Sequence, residues 1–305
     1  MANPAYVAVD WGTSSFRLWL MGKDDSILGE SRSNEGMTTA AKTGFADVLA
    51  SHLAKVNAPE NLPVIICGMA GAKQGWVEAG YVDVPASLPS ILTGAVSVPG
   101  QSRDVRILPG LAQRDQERPD VMRGEETQLL GALGPASTGS QAVCMPGTHS
   151  KWVHVKDGRV TGFSSFMTGE LFDAISKYTI LSHAVAGADQ TLADEAAFET
   201  AIRVAYEHPA MATNLFFTAR SGQLLHGLTA AAAQAKISGT LIGLEIAGAM
   251  SNAGTGVNIT LVAAGRLQGL YEAAFKALSL SFNTIDADTA VRGGLTAAAK
   301  AIWPN

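Results

Sequence analysis

Only two cysteines, Cys67 and Cys144, occur in the 305 residues. Two cannot build a disulfide scaffold or a cysteine-based zinc site, and this points to a reducing compartment. Excess positive charge is also missing. There are 22 Lys and Arg against 27 Asp and Glu, a net charge of −5. A dedicated nucleic-acid binder needs a basic face, so no nucleic-acid partner is expected. Long apolar runs are absent as well. The greasiest stretch, Leu241 to Met250, is interrupted by Glu245 and is too short for a bilayer. No basic region followed by an apolar one opens the sequence, so a cytoplasmic protein without a membrane role is expected.

Several nucleotide and nucleophile signatures are lacking too. No GxGxxG follows the first strand, no Gx4GK[ST] occurs, and no GxSxG is found. A Rossmann site and a Walker P-loop are therefore unsupported, and an α/β-hydrolase is disfavoured. His52, His183, His208 and His226 share no metal-type spacing and are expected at surface or capped positions. Cys67, Cys144, Met122, Met211 and Met250 are expected to pack rather than react.

What is present is a 47% hydrophobic chain with 16% charged residues, enough for a sizeable core. Strands are expected at Tyr6 to Asp10, Phe16 to Met21 and Ser26 to Ser33, then a helix at Phe45 to Val56 and a buried strand at Pro63 to Gly68. Few clear elements lie between Gly68 and Gly110. A helix from Gly124 to Leu133 ends at a Gly-Pro breaker pair. The small, polar stretch at 135–141 reads as a boundary. This divides the chain at 1–136 and 137–288, with the last helix, 289–303, joining the first part.

After the boundary the pattern restarts. Ala142 to Met145, Trp152 to Val155 and Val160 to Phe166 read as strands. Gly12 answers Gly147, and Lys23-Asp24 answers Lys156-Asp157. Helices are expected at Glu170 to Leu181, Thr191 to Tyr206, Met211 to Leu225, Thr229 to Met250, Leu267 to Leu280 and Thr289 to Ile302. Late strands are expected at Asn258 to Ala264 and Asn283 to Asp286. Strands alternating with helices in two comparable halves indicate an α/β protein of two lobes with a cleft between them.

Four motifs carry chemistry. In Asp10-Trp11-Gly12-Thr13-Ser14-Ser15-Phe16-Arg17 a carboxylate ends a buried strand and a glycine turn with hydroxyls follows. Such a turn can hold phosphate oxygens, and Asp10 can hold Mg²⁺ through water. An ordinary hairpin uses the same residue types. Pro146-Gly147-Thr148-His149-Ser150-Lys151 has the same character, with Lys151 able to pair with phosphate. Gly124-Glu125-Glu126 opens a helix, where carboxylates also simply suit the macrodipole. Leu261 to Leu267 runs from a strand into Gly265, where a flat ring such as adenine can approach the backbone.

DWGTSSFR resembles the first phosphate motif of the actin, hexokinase and heat-shock chaperone ATPase superfamily. PGTHSKW and AAGRLQ stand where its second phosphate and adenosine motifs would be. More closely, CGMAGAKQGW, DVMRGEETQLLGAL, CMPGTHSKWVHV and FMTGELFD together resemble the 2-dehydro-3-deoxygalactonokinase family, over most of the chain. The resemblance implies two ribonuclease H-like domains in an actin-like ATPase fold. It also implies ATP, Mg²⁺ and a cytoplasmic site. The implied reaction is phosphorylation of 2-dehydro-3-deoxy-D-galactonate to its 6-phosphate in galactonate breakdown.

On that resemblance, Gly12, Thr13, Ser14, Gly147, Thr148, His149 and Ser150 are assigned to the phosphates and Asp10 to the hydrated metal. Arg17 or Lys151 would stabilise charge on the transferring group. Sugar kinases of the superfamily often carry a catalytic Asp in or near the second motif, which is absent here. Its phosphatases have a Gly-Glu-Glu helix start, so the base is expected to be Glu125 or Glu126. Lys73, Gln74 and Trp76 are candidates for the substrate carboxylate. Asn34, Gly36, Thr168 and Glu170 are candidates for the sugar hydroxyls. A homodimer is possible. Competing readings are a kinase for another sugar acid or amino sugar, a polyphosphate or nucleotide phosphatase, and a non-catalytic ATP-dependent switch.

Overall fold

The structure is a computed structural model that describes residues 3–134, 138–188, 194–253 and 257–304. Residues 135–137 of the expected boundary at 135–141, and with them the division at 136/137, lie outside these residues. The chain forms two compact units. One comprises residues 1–139, 155–163 and 285–305, and the other residues 140–154 and 164–284.

The first unit is built on the strand Pro4–Trp11. Its sheet runs Ile27–Ser33, Phe16–Gly22, Pro4–Trp11, Val64–Gly68, Val105–Ile107 and Val96–Ser97. The first three strands are antiparallel; Pro4–Trp11, Val64–Gly68 and Val105–Ile107 are parallel. A strand covered on both faces must be apolar throughout, as YVAV is. Val7, Val9 and Trp11 face one core with Val48, Leu49 and Ile66. Tyr6 and Ala8 face the other, against Val291, Leu295 and Ala298 of the last helix, Ala287–Ile302. That helix begins at Asp286, whose side chain caps the N–H of Thr289.

The second unit repeats the strand order. Arg159–Phe166, Ser150–Lys156, Ser140–Met145, Asn258–Ala263 and Phe282–Asp286 follow one another, with Ser140–Met145 and Asn258–Ala263 parallel. The ribonuclease H-like sheets implied by the resemblance are thus both present. The hairpin tip 155–163 groups with the first unit, where Arg159 and Val160 pair with Ser87 and Ala86. Both meander turns place an aspartate in the left-handed region, Asp25 at φ 63° and Asp157 at φ 48°. The long helix Ala230–Ala253 crosses Glu195–Glu207 at close range. A Cβ on Gly239 would sit 2.5 Å from the Phe198 carbonyl, and one on Gly243 2.6 Å from that of Ile202.

Some elements differ from expectation. The helix expected from Thr191 starts at Glu195, capped by Asp194, with 191–193 outside the described residues. The short helix Met37–Thr43 and the hairpin Gly110–Gln113/Asp120–Met122 carry too few residues for a periodic signal. His52, expected at a surface or capped position, is fully buried. Its Nδ1 lies 2.7 Å from Ser31 Oγ and its Nε2 3.0 Å from Glu35 Oε2, which satisfies a polar ring inside the core. No described helix is long and apolar enough to cross a membrane.

The last helix meets Glu125–Leu133 through glycines. A Cβ on Gly294 would collide with the Thr127 carbonyl oxygen. Gly294→Ala is therefore expected to destabilise by about 1–3 kcal/mol despite its better helix propensity. Urea unfolding reads this, and an unchanged midpoint would refute the close crossing.

Candidate functional site

In the first unit, Asp10 stands at the end of the first strand, opposite Arg17 on its neighbour. Arg17 Nη2 lies 2.9 Å from Asp10 Oδ2, and its Nη1 bonds Asp288. Arg32 Nη2 holds the other Asp288 oxygen at 2.7 Å. Burial pushes the Asp10 carboxyl up, Arg17 pulls it back down, and the Asp288 charge raises it. The Gly12 N–H donates to the Ser15 carbonyl at 2.9 Å, closing the turn, and Thr13 and Ser14 are exposed.

Gly36 sits behind this turn rather than in the open. A Cβ there would lie 2.5 Å from Ser14 N and from Thr13 O. The N–H groups of Met37 and Thr38 donate to the carbonyls of Gly12 and Thr13. Gly36 thus supports the turn, and Asn34 beside it is exposed.

Two glycines bring further loops to the same strand end. Gly68, at φ 93°, lies where a Cβ would be 2.6 Å from the Trp11 carbonyl and 3.5 Å from Asp10 Oδ1. Gly124, at φ 109°, would place a Cβ 3.4 Å from Gly68 Cα. Cys67 Sγ is 3.8 Å from Asp10 Oδ1 and is buried, as expected. Lys73 and Gln74 are exposed. Trp76 is half-buried, with its ring parallel to Phe45 at 6.0 Å and 11° and edge-on to Trp11 at 6.1 Å, so one face of the indole belongs to the core.

The two glutamates differ sharply. Glu126 is 0% exposed, and burial together with the Glu125 charge pushes its carboxyl up to about 8. It accepts from the Gly124 N–H at 2.7 Å and the Thr127 hydroxyl at 3.0 Å. Glu125 is half-buried and accepts from the Arg123 N–H at 3.0 Å.

In the second unit the turn after Ser140–Met145 exposes Thr148 and His149. The Glu170 N–H donates to the Thr148 carbonyl at 3.1 Å, and Gly169 packs against Gly147. His149 Nε2 meets Glu170 Oε2 at 2.5 Å, so Glu170 is engaged at the turn. Lys151 is 5% exposed, with Nζ 3.4 Å from the His149 carbonyl.

Ser150 corrects the expectation of a phosphate-binding hydroxyl. Its side chain is buried, with Oγ 3.0 Å from the Tyr271 hydroxyl. The strand begins at Ser150, so this position points into the core. Tyr271 donates to Glu245 at 2.7 Å, Trp152 Nε1 donates to Glu245 at 2.8 Å, and the Thr168 hydroxyl donates to it as well. Thr168, half-buried, thus gives its hydroxyl to Glu245 while it lines an adjoining cavity. Burial raises the Glu245 carboxyl and these donors lower it. Above them lies a cavity of about 190 Å³ whose lining includes Gly147, Leu241, Ile242, Arg266, Leu267 and Tyr271. Gly265 has φ 58° and open space where its Cβ would be. It is needed for that backbone turn, and its free side lies next to Arg266.

Sequence reasoning missed Glu245, Asp288 and the buried side of Arg123. Glu245 had a signal, a lone carboxylate inside an apolar run. Among the described residues, no group of three or more His, Cys, Asp or Glu is arranged to hold a metal.

Residues 10–298 match the model of the family described as 2-keto-3-deoxy-galactonokinase. A Rhizobium meliloti (strain 1021) protein named as a probable 2-dehydro-3-deoxygalactonokinase is 62% identical, over 98% of each chain. The 2-dehydro-3-deoxygalactonokinase of Escherichia coli (strain K12) is 34% identical, over 97% of this chain and 98% of its own. A crystal structure of a Sinorhizobium meliloti protein, described provisionally as a 2-dehydro-3-deoxygalactonokinase, superposes with a TM-score of 0.95 at 61% identity. It covers 98% of this chain and 100% of its own.

The buried Glu126 makes stability pH-dependent. Its carboxyl lies near 4.5 when unfolded and about 8 when folded, so between these values the folded state keeps a proton that the unfolded state has lost. Stability from this group is full below pH 4.5 and falls as pH rises toward 8, by at most about 1.4 kcal/mol per unit. Glu126→Gln should gain on the native protein steadily from pH 5 to pH 8 in urea unfolding. Parallel curves would count against the raised carboxyl.

Proposed function

The chain belongs to the 2-keto-3-deoxy-galactonokinase family, and from that premise we infer that it is an ATP-dependent kinase of 2-dehydro-3-deoxy-D-galactonate. The observation that carries this is family membership over nearly the whole length, residues 10–298. The finer roles below are our proposal. The product is the 6-phosphate, which an aldolase of galactonate breakdown would cleave. The setting is the cytoplasm, where the free thiols of Cys67 and Cys144 stay reduced.

Phosphoryl transfer demands in-line positioning and charge neutralisation more than covalent chemistry. The Gly12–Ser14 turn and the backbone and hydroxyl of Gly147 and Thr148 hold phosphate oxygens. The exposure of Thr13, Ser14 and Thr148 and the closed turn at Gly12–Ser15 support this. His149 stays with Glu170 and shapes its turn. The apolar cavity beside Gly147 and Arg266 accepts the purine face, with Gly265 leaving its rim open.

Asp10 fits Mg²⁺ as a hard oxygen donor, and a cation that keeps most of its waters needs no protein cage. When bound, Mg²⁺ neutralises charge on the β- and γ-phosphate oxygens. Arg17 is bound to both Asp10 and Asp288, so its first task is to aim the Asp10 carboxylate. Lys151 adds positive charge behind the 147–149 turn.

Glu125 is the general base. It is half-buried and stands at the helix start, whereas Glu126 is sealed from solvent and holds its proton at neutral pH. Glu126 instead fixes the Gly124 N–H and so the position of Glu125.

A homodimer would cover apolar side chains that stand exposed: Tyr178, Ile180, Phe217, Leu224 and Leu225, Tyr178 at 83% and Leu225 at 75% exposure. Where such side chains adjoin, they mark an interaction surface.

A coupled ATP assay with galacto- and gluco-configured 2-keto-3-deoxy acids should give turnover with the galacto acid, and ³¹P–¹³C NMR should place the phosphate on O6. Phosphate release without an acceptor would mean a phosphatase. In the same assay Glu125→Gln should lose about 10²–10⁴-fold in kcat, and Glu126→Gln far less. Equal mild losses would remove Glu125 as base. Light scattering should show a dimer that Leu224→Lys with Leu225→Lys converts to monomer; a monomeric native protein would refute the dimer.

A further inference from the structure

Arg123 precedes the two glutamates, and its guanidinium is unusually placed. It lies over the Tyr81 ring, 4.4 Å from the centroid. Nη2 donates to the Gly80 carbonyl at 3.4 Å, at the surface. Nη1 sits where a Cβ on Gly71 would be only 2.9 Å away, so the guanidinium packs directly against this glycine. Nε and Nη1 are shut from solvent and have no hydrogen-bond acceptor among the described residues.

An arginine stays charged at any ordinary pH; the Tyr81 ring meets only the face of the guanidinium, so these in-plane N–H groups have lost water without gaining an acceptor. A permanently charged group with orphaned donors needs an anionic oxygen. The two carboxylates that follow it in sequence are engaged with other groups. Glu125 accepts from the backbone N–H of Arg123 itself, and Glu126 from Gly124 and Thr127.

We propose that Arg123 binds the carboxylate of the sugar-acid substrate. This rests on the kinase reading above and deepens it. Gly71, against which the guanidinium lies, belongs to the Gly68–Trp76 loop, the segment whose residue types suit a carboxylate site. Glu125 is anchored to the main chain of Arg123, so anion recognition and proton acceptance share one fixed residue. The edge at Nη2 is where the anion enters, and the orphaned N–H groups behind it favour a guanidinium that turns onto it. Lys73 stands exposed on the same loop and attracts the acid without orienting it.

The test compares 2-keto-3-deoxygalactonate with its C1 carboxamide, using native protein, Arg123→Met, Arg123→Lys and Lys73→Ala. Arg123→Met should raise the KM for the acid about 10–100-fold, leave the ATP KM within about threefold, and abolish the preference for acid over amide. Arg123→Lys should recover part of that preference, since charge returns without the planar fork. If Arg123→Met fails to fold, judged by its melting curve, Arg123→Lys decides: an unaltered preference overturns the proposal. A rise in ATP KM equal to that for the acid would move Arg123 to the phosphates. Loss of preference in Lys73→Ala instead would move the role to Lys73. No turnover by the native protein with the acid would overturn the kinase reading itself, a separate failure.

Discussion

The carboxylate of Asp10 is buried at a strand end, where it would be costly to leave charged and alone. Arg17 resolves this from the adjacent strand, and Asp288 and Arg32 extend the pair into a chain of alternating charges. Breaking such a buried pair costs more than never having built it. The chain also crosses the fold. Arg17 and Arg32 lie on neighbouring strands at paired positions, and Asp288 lies in the first turn of the last helix. The first strand, its hairpin and the far end of the polypeptide are thus locked to one carboxylate. Around it, Gly68 and Gly124 lack side chains, so that two more loops reach the same point.

The second unit solves a similar problem differently. Glu245 is a buried carboxylate without a cation among the described residues. Three donors from three separate elements, Trp152, Thr168 and Tyr271, satisfy it. A carboxylate met only by neutral donors keeps a raised affinity for protons, and its neighbours are fixed in direction. That network sets the floor of the apolar cavity and the root of the 147–150 turn.

Most of the fold was legible because its strands are short, apolar and bounded by glycine turns. The repeated strand–Gly turn–strand–Lys-Asp pattern announced two similar sheets. Asp10, Gly12 and Gly147 could be picked out because a carboxylate or glycine at a strand end is a local feature. Direction of a side chain is not local. Thr168 and Ser150 carry suitable hydroxyls but point to Glu245 and Tyr271, far away in sequence. For Gly36, only three-dimensional packing places it beneath the Thr13–Ser14 backbone. Glu125 and Glu126 are indistinguishable by type, and one helical step separates a reachable carboxylate from a sealed one. The orphaned nitrogens of Arg123 depend on Gly71 and Tyr81 together, which no spacing rule joins.

The last helix, Ala287–Ile302, supplies Val291, Leu295 and Ala298 to the layer that covers Tyr6, Ala8 and Ile65. The partners lie far apart in the sequence, and the Tyr6 hydroxyl donates to Thr296 across 290 positions. Until that helix docks, the first sheet has one bare apolar face, while residues 164–284 can pack among themselves. A folding chain whose helix is late in docking therefore shows an unprotected, sticky surface, a burden of the kind that chaperones relieve.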